Sequence, residues 1–176
     1  MTPTKKQPLF IVAGASGVRK SSACEILFQR ETDYIVLESD ILWNDVYNGD
    51  LDDGYCAYRE VWMTMCANIS QIGKSCVLCG CGEPRHFEVC DARKYFSDVH
   101  YLAVVCRNDI LAHRMRDLRG ITDENWISSS QVYNQWCWDE GAKTTPPMTL
   151  VDNSNITLEE TAMQIEKWIM ERIPTK

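Results

Sequence analysis

Gly14-Ala15-Ser16-Gly17-Val18-Arg19-Lys20-Ser21-Ser22 is the stretch whose residue types and spacing carry the plainest chemistry. It follows the apolar run Leu9–Ala13 and leads into Ala23, Ile26 and Leu27, which begin a helical pattern. Gly14, Lys20 and Ser21 fit the phosphate-binding spacing G-x-x-x-x-G-K-[ST], which belongs between a strand and a helix. Glycines there let the backbone curl so that its N–H groups face phosphate oxygens. The helix N-terminus adds about half a positive charge. Lys20 is placed to reach the β- and γ-phosphates of a nucleotide, and Ser21 to ligate Mg²⁺. One residue is irregular: Arg19 stands where the pattern has glycine. If the loop needs a positive φ there, arginine costs about 1 kcal/mol or more. Gly17, two residues earlier, supplies part of the freedom.

Two further groups lie at the ends of apolar runs. Tyr34–Leu37 runs into Glu38-Ser39-Asp40. In an open parallel sheet, ligands sit beyond the carboxyl ends of the strands, and residues i and i+2 of an extended chain share a side. Asp40 is the candidate to accept the proton of an attacking hydroxyl, and Glu38 to hold Mg²⁺ through water. Asp40 capping a helix from Ile41 is the competing explanation. Cys76–Cys79 runs into Gly80-Cys81-Gly82-Glu83-Pro84. Its paired glycines would let a ligand approach the backbone, or would form a plain turn. Cys76, Cys79 and Cys81, with Cys90 beyond, suggest zinc. Odd spacing inside a strand instead sends Cys76 and Cys79 to opposite faces, as buried thiols.

The elements that position these groups alternate. The runs Leu9–Ala13, Tyr34–Leu37, Cys76–Cys79, Val99–Cys106 and Met148–Val151 are short and continuous, which suits parallel strands buried on both faces. Between them lie segments long enough for helices. Thr157-x-x-Glu160 is a capping box, followed by Leu158, Ala162, Ile165 and Ile169 at helical spacing, with Pro174 beyond. Glu124 to Lys143 also reads as a helix, with Trp126, Tyr133, Trp136 and Cys137 on its apolar face. Such alternation predicts an α/β sandwich with right-handed crossovers.

Composition sets the limits. A chain of 176 residues, 45% hydrophobic, is sized for one domain, 1–176. With 18 basic against 25 acidic residues the net charge is −7, which argues against a nucleic-acid backbone binder. No run approaches the ~20 apolar residues that span a membrane. The nine cysteines are odd in number, and polar Met1 to Pro8 gives no signal-peptide pattern. A reducing cytoplasm is the expected setting. Arg107, Arg114, Arg116 and Arg119 form a cationic stretch in this acidic chain. They serve either to close on phosphates or as a solvated helix face paired with Asp109 and Asp117.

Taken together, Gly14–Ser21, Glu38-x-Asp40, Gly80-Cys81-Gly82, the arginine stretch and Val151-Asp152-Asn153-Ser154 resemble the small P-loop kinases of the nucleoside-monophosphate-kinase and shikimate-kinase type. The resemblance covers most of the chain. It implies a three-layer α/β/α fold with a five-stranded parallel sheet in the order 2-3-1-4-5. It also implies transfer of the γ-phosphoryl of ATP, with Mg²⁺, to a small acceptor. Asp40 would match the acceptor-binding carboxylate and Glu38 the metal-associated position. Segment 41–73 would bind the acceptor, through Trp43, Tyr58 and Arg59, with Gly80, Gly82 and Arg85 from the next strand end. Segment 107–125 would be the lid, with Arg114 packed on the nucleotide base and Arg119 and Arg116 reaching the phosphates. Gly120 would permit a hinge. Asn153 and Ser154 would contact adenine, or cap the last helix.

Two functions follow. In the first, Lys20, Asp40 and Arg119 catalyse phosphoryl transfer to a hydroxyl, with Trp43, Tyr47 and Tyr58 favouring a nucleoside or similar ring. In the second, Arg19 marks a degenerate loop in a non-catalytic nucleotide-binding module. A guanine-nucleotide switch is disfavoured by the lack of an Asn-Lys-x-Asp segment. Oligomeric state is unreadable.

Overall fold

A computed structural model describes residues 5–30, 33–42 and 55–174. Each apolar run forms a strand: β1 Leu9–Ala13, β2 Tyr34–Glu38, β3 Ser75–Cys79, β4 Val99–Val105 and β5 Met148–Asp152. All neighbours pair in parallel, in the order β2-β3-β1-β4-β5. The helices are α1 Lys20–Phe28, α2 Cys56–Ser70, α3 Pro84–Glu88, α4 Asn108–His113, α5 Glu124–Glu140 and α6 Leu158–Met170. A π-helical turn, Arg114–Leu118, continues α4.

The continuous apolar runs have their cause in two cores, one on each sheet face. Phe10 and Val12 point into a core with Ala23 and Leu27 of α1 and Ile165 and Ile169 of α6. Leu9, Ile11 and Ala13 point into another with Tyr58, Trp62, Met63 and Cys66 of α2. Cys79 lies in the first core and Cys76 in the second, as their three-residue separation requires. Among the described residues no group of three or more His, Cys, Asp or Glu side chains could hold a metal ion.

The helix starts follow the sequence. Thr157 Oγ1 accepts from the Glu160 N–H at 3.1 Å, and Glu160 Oε2 accepts from the Thr157 N–H at 2.7 Å. Asp123 caps α5 by accepting from the N–H groups of Asn125 and Trp126. Trp126 departs from the expected apolar face of α5. Its side chain is partly exposed, and Ile127, Ser130, Asn134 and Cys137 are the buried positions. Among the described residues no helix is long and apolar enough to cross a membrane.

Candidate active site

The loop between β1 and α1 curls as the glycine spacing predicts. A Cβ on Gly14, at φ 152°, would lie 2.7 Å from the Val104 carbonyl oxygen. One on Gly17, at φ 86°, would lie 2.8 Å from Met115 Cγ. The loop therefore packs against β4 on one side and the π-helical turn on the other. Arg19 takes φ 64° and ψ 23°, the left-handed region that glycine would occupy at least cost. That geometry strains an arginine by about 1 kcal/mol. The main chain keeps its course: the Ala23 N–H is the first of α1 to bond within the helix, to Arg19 O at 3.1 Å. Among the described residues no side chain caps the N–H groups of Lys20, Ser21 and Ser22 before it.

These groups border a cavity of about 600 Å³. Its walls include Gly14, Ala15, Ser16, Gly17, Arg19, Lys20, Ser21 and Ser22 from the loop, Asp40 from the β2 end, and Arg114 and Arg119 from the arginine stretch. Lys20 is buried, with Nζ 3.4 Å from Ser21 Oγ and 3.8 Å from Cys79 Sγ. Burial alone would push the ammonium down. The Cys79 and Cys81 sulfurs and the Glu38 and Asp40 carboxylates outweigh it, so the pKa lies above the ordinary lysine value and Lys20 is fully charged.

A second cavity, of about 560 Å³, adjoins the first. Tyr55, Tyr58, Trp62, Phe87 and Trp126 give it aromatic walls, with Ser39, Asp40, Arg59 and Gly80 as polar or open positions. Ser16, Asp40, Cys81 and Trp126 line both cavities. The Tyr58 hydroxyl donates to the Ser39 carbonyl, fixing the ring beside the carboxyl end of β2. Burial raises the pKa of that phenol.

The arginine stretch divides. Arg114 is buried and donates to Asn153 Oδ1 at 2.9 Å and to Asn153 O at 3.1 Å. Asn153 Nδ2 in turn donates to Val18 O at 2.6 Å. Asn153 thus ties the β5 end to the phosphate loop and aims Arg114, rather than facing the cavity itself. Arg119 lies 5.7 Å from the Trp126 ring centroid, a cation–π distance. Arg116 turns away to Glu124, at 2.8 and 2.5 Å, and Arg107 to Asp109 at 3.1 Å.

Other expected site residues also lie outside both cavities. Arg85 is exposed and paired with Glu83, which satisfies its charge locally. The Gly82 N–H and carbonyl are both bonded to the Tyr133 hydroxyl, at 3.1 and 3.0 Å. Ser154 Oγ accepts from the Arg107 N–H and donates to Asp152 Oδ1. It neither lines the larger cavity nor caps α6, a role Thr157 fills. Val18 is fully buried, with its N–H donated to Ala15 O and its carbonyl taken by Asn153. Trp43 and Tyr47 fall outside the described residues. Trp126, Phe87 and Cys81 are additions. Their one sequence signal is position, at the start of a capped helix or just past a strand end.

Ser21 and Glu38 together line a smaller cavity beside the loop. Its other walls include Cys24, Phe28, Val36 and Ile41, and Glu38 lines neither of the two larger cavities. A hydroxyl and a carboxylate are the donor types that a hard divalent cation such as Mg²⁺ takes. Replacing Asn153 by alanine strands a buried guanidinium and a buried carbonyl. The expected loss is about 3 kcal/mol, a fall in Tm of roughly 6–12 °C by calorimetry.

No protein-family model matches this sequence, and no curated protein does. Solved structures do resemble the fold. A tunicamycin resistance protein of Deinococcus radiodurans is 15% identical, with a TM-score of 0.66, covering 97% of this chain and 100% of that one. A sugar kinase from Janibacter sp. is 14% identical, with a TM-score of 0.69 over 94% and 95% of the two chains. A gluconokinase from Sinorhizobium meliloti is 16% identical, with a TM-score of 0.58 over 94% and 97%. The class these likenesses define is a fold: the three-layer α/β/α sandwich of the P-loop kinases, with its sheet in the order 2-3-1-4-5.

Proposed function

We propose that the protein is an ATP-dependent phosphotransferase that moves the γ-phosphoryl group to a hydroxyl of a small molecule. One observation carries the reading: Asp40 lines both the cationic cavity and the aromatic one. A nucleotide in the first and an acceptor in the second would meet at this carboxylate.

The residues divide the work. The uncapped N–H groups and Lys20 bind the polyphosphate, and Arg114 and Arg119 close over it from the lid segment 107–125. Asp40 orients the acceptor hydroxyl and takes its proton as the new P–O bond forms and the bond to the leaving β-phosphate oxygen breaks. Mg²⁺, held through Ser21 and Glu38, would neutralise charge on the leaving oxygens. Aromatic walls favour an acceptor with a flat ring, such as a nucleoside. Arg59, buried in the same wall, supplies a cationic group beside it, the one cation among the described residues that line this cavity. Small molecules, not nucleic acid, are the partners that cavities of this size suit, and a cytoplasmic setting supplies ATP.

The test is an ADP-release screen with Mg-ATP over nucleosides, sugars and aminoglycoside-like alcohols. Acceptor-dependent release is expected from a ring-bearing hydroxyl compound. Tight Mg-ATP binding with no acceptor-dependent release across the panel would favour a non-catalytic nucleotide-binding module instead.

A further inference from the structure

Of the ten arginines in the sequence, six pair with carboxylates: Arg30, Arg85, Arg93, Arg107, Arg116 and Arg172. Arg19, Arg114 and Arg119 make no ion pair among the described residues, and all three line the nucleotide cavity. Arg114 is held by neutral Asn153, and Arg119 stacks on Trp126. Arg19 has neither anchor: its guanidinium makes no hydrogen bond to the described residues, and it lies close enough to Arg114 to press on that group's charge.

Arg19 therefore carries two unfavourable terms. Its backbone sits at a φ suited to glycine, and its charge presses on that of Arg114. A polyanion lying between these groups reverses the second term, because each like-charge repulsion becomes an attraction to the same ligand. Six arginines elsewhere on this acidic chain are paired with carboxylates. Here charge is left open around a cavity shaped by the phosphate loop.

We propose that Arg19 is a nucleotide-contacting residue, an arginine within the phosphate loop whose side chain adds to the charge that holds the polyphosphate. The inference rests on the nucleotide-binding part of the function above. It turns the loop's departure from glycine from a sign of decay into added binding charge. The left-handed geometry retains the course of the cradle while the side chain adds a cation to it. Loss of that cation should weaken ATP more than AMP, since the triphosphate carries more charge across the loop.

Titration calorimetry of Mg-ATP and AMP against wild type, Arg19→Gly and Arg19→Lys tests this. Arg19→Gly is expected to weaken Mg-ATP about tenfold and AMP by less, while Arg19→Lys retains much of the affinity. Arg19→Gly should be folded, with a Tm about 2–4 °C higher from relief of the strained φ, so lost affinity is not unfolding. Wild-type binding with an equal or tighter Kd for Arg19→Gly would overturn the role of Arg19 and leave the nucleotide site standing. Failure of wild type to bind Mg-ATP at all would overturn both.

Discussion

Lys20→Ala is expected to reduce ATP turnover by roughly 10³-fold or more, while the fold is retained. The ammonium is buried under the loop, and the carboxylates of Glu38 and Asp40 help to hold it charged. In phosphoryl transfer, negative charge develops on the oxygens that bridge the leaving phosphate. A fixed cation in a site closed to water stabilises that charge far more than one in solution. Neighbouring Arg114 and Arg119 are too differently anchored to replace it: one is locked to Asn153, the other rests on Trp126. The fold should survive because, among the described residues, Lys20 has no buried carboxylate partner to strand, and its Nζ hydrogen bonds go to Ser21 Oγ and Cys79 Sγ. Lys20→Met, which fills the channel of the aliphatic stem, should show the same loss. Circular dichroism and ADP-release rates on both variants check the two halves of the expectation.

Asp40→Asn should lower turnover roughly 10²–10⁴-fold and change Mg-ATP affinity little. Asparagine keeps the shape and a hydrogen bond to the acceptor, but it cannot take the hydroxyl proton. The predicted signature is a fall in kcat at nearly constant Kd for ATP. A carboxylate that only capped the short Ser39–Leu42 turn would give the opposite pattern, with altered stability and ordinary turnover. The bonds around it are long: the Asp40 carboxylate accepts from Ser39 Oγ at 3.3 Å, and the Asp40 N–H, not its carboxylate, donates to Glu38 Oε1 at 3.5 Å. They leave the carboxylate exposed to both cavities rather than committed to the turn.

The local part of this site was legible in the sequence because local rules produce it. A strand, a glycine turn, a lysine and a hydroxyl at fixed spacing define the loop. A carboxylate just past a parallel strand must lie at the sheet edge where ligands bind. The strands matched their apolar runs to within one residue, because both faces of the sheet are covered and no alternation blurs the signal. The motif's glycine at residue 19 raised positive φ as a condition, and the structure shows that arginine meets it.

What stayed hidden depends on distant partners. Asn153 sits 135 positions from Val18, and nothing near it in sequence shows that its amide is used up between the loop and Arg114. Arg85 and Arg116 looked like site cations because type and position were right. Glu83 and Glu124 decide their direction instead. Gly82 looked open to ligand until Tyr133, 51 residues on, took both its backbone groups. Trp126 read as helix core because an indole is apolar. Its place at the first turn of α5, after the arginine stretch, puts it between the cavities.

Transfer of label from γ-³²P ATP to an acceptor from the ADP-release screen tests the central claim most directly, with wild type, Lys20→Ala and Asp40→Asn run side by side. Wild type should label the acceptor, and both variants should fall to near background. Labelling by Lys20→Ala at the wild-type rate would contradict the proposed phosphotransferase site.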